Sequence, residues 1–486
     1  MPTQKIKIVE SLIIGSGFGG LCMGAKLREA GRTDFVILEK ADAIGGTWRE
    51  NTYPGAECDI PSALYSFSFW QNPTWDFKWA KQPQILQYMN DFTDAFKLRD
   101  HIKLGQTVER ATYDEAVKRW TVTCVSGETY SARFFIPAVG QLHHLNTPNF
   151  EGTEDFNGEK FHSGKWDHSI DLSGKSVGVI GNAASAVQFI PEIAEVAGHL
   201  TVYQRTPNWV VYKKDRPYFK IEKALGKKFP ALTSIYRLHL WGFGEYGVWP
   251  MIKGNRLACW IGRNMCNGAI KDNIKDPALR KALVPNYPIG AKRILLSDKF
   301  YPALARENVT LEIDGIAKIT KGGVQTKSGT EHAHDVLIYG TGFKTNPFLQ
   351  NLDIYGRDNK NLRAHWSGGA FAYLGVATAS FPNMFILYGP NTNTGHTSII
   401  FKLENQVNYI LQLIDAAQKD KAVEIDHEVE QTFNVEMQER LAKLAWSKID
   451  ASWYKDGDRV TNNWPGSSIE YKKRMKTPIL SHYRVG

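Results

Sequence analysis

Apolar and polar positions over the first 210 residues switch between two periods, and the same order of elements occurs twice. Residues 8–14 read as a buried strand, and the turn Gly15-Ser16-Gly17-Phe18-Gly19-Gly20 follows at once. Phe18, Leu21, Cys22 and Ala25 then fall at i, i+3, i+4 and i+7, one face of a helix. Gly31 stops that helix, and residues 35–38 give a second strand closing on Glu39. The order returns from residue 176. A strand over 176–180 leads into Gly181-Asn182-Ala183-Ala184-Ser185-Ala186, and Ala183, Ala186, Val187 and Ile190 repeat the helical spacing. Residues 200–203 form the next strand, ending in Gln204-Arg205-Thr206.

Strand, glycine turn and helix in this order place backbone N–H groups at a helix N-terminus, where they can hold a pyrophosphate. In the first turn Gly15, Gly17 and Gly20 supply the tight bend and the close approach. Glu39 lies 24 residues past Gly15, placed to accept from ribose hydroxyls. In the second turn the middle glycine is Ala183, which brings backbone and phosphate into a tighter fit, and Ser185 follows it. Arg205 is 24 residues past Gly181 and stands where the first unit has its acid. A guanidinium favours a 2′-phosphate through bidentate, charge-assisted bonds. The first turn is therefore expected to take FAD and the second NADPH, with Arg205 as a plain surface arginine the alternative.

Beyond residue 213 the α/β rhythm breaks. Residues 214–285 are aromatic and helix-like, with Trp241, Phe243, Tyr246, Trp249 and Trp260 among them. An inserted helical layer is predicted, and three uses are open to it: a lid that shapes the substrate site, packing alone, or contact with a membrane surface. Residues 335–343 read as a strand running into a tight turn, where the chain passes back to the first domain. The predicted fold class is α/β, with two Rossmann-like dinucleotide-binding domains and a helical insertion. Residues 1–146 and 345–486 are assigned to the FAD domain, and residues 147–213 and 286–344 to the NADPH domain. An amphipathic helix is predicted near residues 402–416.

Composition narrows the class. The net charge of +9 comes without a block of five basic residues, so a solvated basic surface is expected rather than a nucleic-acid partner. No apolar run approaches the length of about 18 residues that a transmembrane helix needs. Glycines interrupt the apolar stretch near the N-terminus, so no secretory signal is expected. Five scattered cysteines (22, 58, 124, 259 and 266) form no CxxC pair and no metal pattern. They suit a reducing compartment, here the cytoplasm, and argue against a dithiol redox site and a metal centre.

Two stretches are more specific. Residues 45–59, GGTWRENTYPGAECD, contain Gly46, Thr47 and Trp48 and close on Asp59. Residues 156–167, FNGEKFHSGKWD, contain Phe156, Gly158, His162, Ser163, Trp166 and Asp167. Together they resemble both fingerprints of the type I Baeyer–Villiger monooxygenases, (A/G)GxWxxxx(F/Y)P(G/M)xxxD and FxGxxxH(S/T)xxW(P/D), with every specified position filled. Supporting similarity runs from residue 8 to about residue 406.

The resemblance implies that NADPH reduces FAD and that O2 is captured as a C4a-peroxyflavin. Attack on a small ketone then gives an ester or lactone; thioethers are further expected substrates. Lys292-Arg293 matches the family position of the active-site arginine. Arg293 is the candidate for holding an anion in a dry site, because a guanidinium keeps its charge when buried. Asp59 resembles the acid that orients it; a structural ion pair is the alternative. Lys292, with Arg205 and Thr206, is expected near the 2′-phosphate. In related enzymes the second motif lies in a linker, which implies a hydrogen-bonding role for His162, and Trp166 is either a hinge anchor or core. Glu57 stands where many relatives carry a basic residue, so no cation is expected from that position. Two other functions remain open: an N- or S-hydroxylating flavin monooxygenase, and a flavin-bearing binding or sensor protein without turnover. Neither the oligomeric state nor the physiological substrate is legible.

Overall fold

In the computed structural model, residues 6–349, 351–418, 420–449 and 452–486 are described. The first glycine unit forms as strand Lys7–Ile14, helix Phe18–Glu29 and strand Phe35–Leu38. The strand Lys7–Ile14 is central in a seven-stranded sheet, flanked in parallel by Phe35–Leu38 and Thr129–Pro137. Leu21, Cys22 and Ala25 are fully buried, as the helical spacing requires. Helix Ile399–Ala416, capped by the Ser398 hydroxyl, packs beside this helix. That sheet therefore draws on both halves of the chain: Asp353–Tyr355 forms its edge, beside Val108–Asp114.

The second glycine unit belongs to a separate five-stranded sheet in which every pairing is parallel. Strand Ser176–Ile180 lies between His199–Tyr203 and Val336–Tyr339, and Glu159–His162 forms one edge. Helix Ala184–Val196 covers this sheet and buries Ala186, Val187 and Ile190.

Between the short parallel pair Val210–Val211 and Leu295–Leu296 the described chain contains no strand. It carries instead helices Lys220–Lys228, Pro230–Phe243, Trp249–Ile252, Arg256–Asn273 and Pro277–Leu283, so the inserted layer is helical as expected. Among the described residues no helix is long and apolar enough to cross a membrane.

The chain passes between the two sheets along two strands of linker that run side by side. Lys344 N donates to His144 O at 2.8 Å, Asn146 N to Gly342 O at 2.9 Å, and the Thr341 hydroxyl to Asn146 O at 2.6 Å. The second fingerprint lies against this strap. His162 Nδ1 accepts from Gly164 N at 3.0 Å, and burial pushes its pKa below the ordinary value. A Cβ at Gly164 would sit 2.8 Å from the Leu145 side chain and 3.0 Å from the Phe343 ring, and one at Gly158 would sit 2.3 Å from Asp335 O. Both glycines are thus places where chain approaches chain. Phe156 packs with Ile180 and Leu337, and Ser163 is buried. Trp166 is half-buried at the edge of the second sheet's core, its ring between those of Phe161 and Phe189 at 5.1 and 5.4 Å. Asp167 is exposed and accepts from the backbone and hydroxyl of Ser169.

Candidate functional site

A cavity of about 410 Å³ opens where the two sheets face one another. It is lined by the first glycine turn, Glu39, Gly46 to Trp48, Asp59, Tyr65, Gln141, Tyr388 and Arg293, and at its far side by Ala184 and Ser185.

The two turns share one backbone geometry. Gly15 and Gly181 have φ of +100° and +105°, and their N–H groups donate to Leu38 O and Tyr203 O at the end of the following strand. A Cβ on Gly15 would approach Ala138 O to 2.8 Å, and one on Gly181 would approach Gly340 O to 2.6 Å. Gly17 and Ala183 cap their helices with nearly identical dihedrals, φ −77° with ψ −172° and φ −77° with ψ −168°. The protein itself does not demand glycine at position 17, since a Cβ there would meet only the Gly46 Cα at 3.9 Å. Gly20 is different: its Cβ would fall 1.8 Å from Gly15 O. The closed turn therefore needs Gly20 for packing, whereas Gly17 leaves the space above the helix N-terminus free for a ligand.

Glu39 is buried at the cavity rim. One carboxylate oxygen accepts from the Ser16 backbone and hydroxyl, at 2.8 and 2.7 Å, and the other from Ala41 N at 3.0 Å. Gly46, at φ +52°, brings the first fingerprint to within contact of Gly17, and Thr47 begins the short helix Thr47–Glu50. Trp48 Nε1 donates to the Tyr65 hydroxyl at 3.0 Å, which fixes both rings in the cavity wall. These features suit a dinucleotide laid along the turn, with its phosphates at the helix N-terminus and its ribose at Glu39.

Ala183 and Arg205 are exposed on the side of the second turn, and Thr206 is half-buried next to them. Asn182 and Gln204 fix the turn through a 2.7 Å hydrogen bond. Burial lowers the pKa of the Lys292 ammonium, and the positive charge of nearby Arg205 lowers it further. Besides burial only the Arg205 charge acts on Lys292, so the two cations stand close together without an acid between them, as a 2′-phosphate needs.

Arg293 and Asp59, 234 positions apart, meet across the cavity with Nε and Oδ2 at 3.7 Å. The open 39% of the Arg293 side chain faces the cavity. Burial works against its charge, but the Asp59 carboxylate opposes that effect, and the pKa stays above its ordinary value. Burial also pushes the Cys58 thiol up to about 12, so it is protonated and unreactive beside them.

Sequence reading passed over Gln188. This buried side chain on helix Ala184–Val196 accepts from the Tyr53 hydroxyl at 2.9 Å and donates to Glu57 O at 3.1 Å and Asp59 Oδ1 at 3.2 Å. The only available signal was a polar residue between Val187 and Phe189, inside the apolar run 186–191 of that helix. The Glu57 carboxylate pairs with buried Lys213 at 2.5 Å and with Lys81. Glu57 thus neutralises two lysines that come from outside the first fingerprint.

A family profile described as pyridine nucleotide-disulphide oxidoreductase matches residues 12–232. All five cysteines are free. The chain is 39% identical to a Baeyer–Villiger monooxygenase of Streptomyces coelicolor, over 98% of this chain and 92% of that protein. It is 37% identical to one of Pseudomonas aeruginosa, over 97% and 90%. The closed crystal structure of cyclohexanone monooxygenase matches with a TM-score of 0.89 and 30% identity, over 99% of this chain and 100% of that one. An oxidized steroid monooxygenase bound to NADP matches with a TM-score of 0.88 and 28% identity, over 99% of both chains.

Proposed function

The chain belongs to the Baeyer–Villiger monooxygenase family, and on that footing we propose that it binds FAD and NADPH and inserts one atom of O2 beside the carbonyl of a small ketone. Ketone, O2, NADPH and a proton give ester or lactone, NADP and water. Bound FAD supplies the activation of O2 with the two electrons that NADPH delivers. The protein supplies position, charge and dryness.

The first turn and Glu39 hold the FAD pyrophosphate and ribose, and Arg205, Thr206 and Lys292 hold the 2′-phosphate of NADPH. Arg293 is the observation that carries the proposal: a fixed guanidinium, held charged by Asp59, in the cavity between the two turns. It stabilises negative charge developing on the reacting oxygen, and Asp59 is its positioning residue. Tyr65, Trp48 and Tyr388 exclude water around that charge. A thioether reaching the same place takes the oxygen on sulfur without carbon migration. Five free thiols fit a cytoplasmic enzyme.

A ketone panel with mass analysis of the products tests this reading. Ketone-stimulated NADPH oxidation with ester formation is expected. Stimulation only by amines or sulfides, with no ester from any ketone, would overturn it and favour a heteroatom oxygenase. No turnover with any of them would favour a binding protein.

A further inference from the structure

We propose that the helical insertion seats this enzyme on an anionic lipid bilayer surface. Thirteen of the 27 exposed large apolar side chains among the described residues fall within residues 219–265. Helix Pro230–Phe243 has no fully buried residue and is apolar on its outward side as well as its inner one. Its outward stripe, Leu232, Ile235, Leu238 and Phe243, is 47–65% exposed. Its one Lys or Arg, Arg237, turns inward, where the guanidinium donates to the Ser66 hydroxyl at 2.9 Å, to Ser66 O at 3.2 Å and to Ala63 O. A helix that turns its one cation toward the protein and leaves an aliphatic stripe exposed suits an apolar neighbour.

Helix Arg256–Asn273 repeats the arrangement. Leu257, Trp260, Ile261 and Met265 recur at i, i+3, i+4 and i+8 and are exposed, while Gly262, Cys266, Ala269 and Ile270 face the protein.

The charge around these stripes selects the partner. Residues 219–265 hold eight Lys or Arg and two acids. Of the acids, Glu245 is buried, and Glu222 is bonded to Arg216 and Lys78. Lys220, Lys227 and Lys228, on the neighbouring helix Lys220–Lys228, are exposed with Ile221 and Leu225. Apolar and aromatic side chains fringed by unneutralised lysines fit the headgroup boundary of an anionic bilayer. No described helix can span, so the contact is interfacial. Arg237 joins this surface to the cavity, because Ala63 and Ser66 flank the wall residue Tyr65.

The test is cosedimentation of the FAD-loaded full chain with vesicles of phosphatidylcholine, with and without phosphatidylglycerol. Binding to the anionic vesicles that weakens with salt is expected. Ile235→Ser with Leu238→Ser should keep NADPH oxidation and lower vesicle affinity about tenfold or more. Lys227→Gln with Lys228→Gln should weaken binding to the anionic vesicles only. Absence of binding to either vesicle would overturn the proposal, as would binding that both double variants leave unchanged. A lipid-independent dimer in analytical ultracentrifugation that Ile235→Ser dissolves would assign the face to a second copy of the chain instead.

Discussion

Replacing Arg293 with alanine separates electrostatic stabilisation from cofactor binding. The guanidinium lies 3.7 Å from Asp59; unit charges about 4 Å apart interact by about 4 kcal/mol at an effective dielectric of about 20, and by less here because 39% of the arginine side chain is open and screened. Removing one such group from a dry site typically costs about 3–4 kcal/mol of transition-state stabilisation, or about a hundred- to a thousandfold in rate. Ester formation in Arg293→Ala should fall by that factor. FAD content should be unchanged, because the first turn and Glu39 lie elsewhere in the cavity wall. Flavin reduction by NADPH should change far less, so oxygen consumption continues and hydrogen peroxide replaces ester. Arg293→Lys should fall between, since a lysine keeps a point charge but loses the planar fork, and burial lowers its pKa. The assay compares NADPH consumed, peroxide released and ester formed in one reaction. Near wild-type ester formation by Arg293→Ala would falsify the catalytic assignment and leave the Arg293–Asp59 pair a structural one.

Gly17→Val should fold normally and lose FAD, measured as flavin absorbance per chain, because a Cβ there meets no protein atom closer than 3.9 Å. Gly20→Ala should instead fail to fold stably, its Cβ lying 1.8 Å from Gly15 O; a soluble, flavin-loaded Gly20→Ala protein would refute this reading of the turn. Arg205→Ala should weaken NADPH ten- to a hundredfold, equivalent to about 1.5–3 kcal/mol, and leave NADH nearly unchanged in steady-state kinetics. Equal losses for both nucleotides would sink the 2′-phosphate assignment. Burial lowers the His334 pKa from 6.5 to about 4, so its contribution to stability is complete above pH 6.5 and is lost as pH falls toward 4. Denaturant unfolding at about pH 5 should show about 2 kcal/mol less stability from this group than at neutral pH, and His334→Gln should flatten the dependence; an unchanged slope in the variant would exclude His334 as the source.

Local pattern carried both glycine units because each is a contiguous run of strand, turn and helix whose buried face repeats at fixed spacing. Phe35–Leu38 and Ser176–Ile180 lie at their predicted bounds, and the helix predicted from residue 402 begins only three residues earlier, at Ile399. The helices of the insertion were legible from composition, but not the direction in which their apolar faces point. Periodicity reports that a helix has two faces; only packing decides which of them meets the protein, and in Pro230–Phe243 Arg237 takes the inner side. The ion pair of Arg293 with Asp59 was expected from resemblance alone, since no local period connects residues 234 positions apart. The partners of Glu57 were not visible for the same reason: Lys81 and Lys213 arrive from separate loops.

Gln188 shows how the two halves of the site depend on one another. Its helix begins at the second glycine turn, so its position is fixed by the sheet that carries Arg205. Its amide reaches across to Tyr53, Glu57 and Asp59, all within the first fingerprint. Close approach is possible because Gly55, at φ +77°, would bring a Cβ to 2.7 Å from Gln188 O; any side chain there would push the helix away. Asp59 is therefore held from two sides, by the amide of the second sheet's helix and by the guanidinium of Arg293. A shift of that helix relative to the first sheet moves the Gln188 donor and with it the carboxylate that sets the arginine. The fixed charge in the cavity and the placement of the second sheet's helix are thus mechanically one arrangement, which ties the group proposed to act on oxygen to the domain proposed to deliver the electrons.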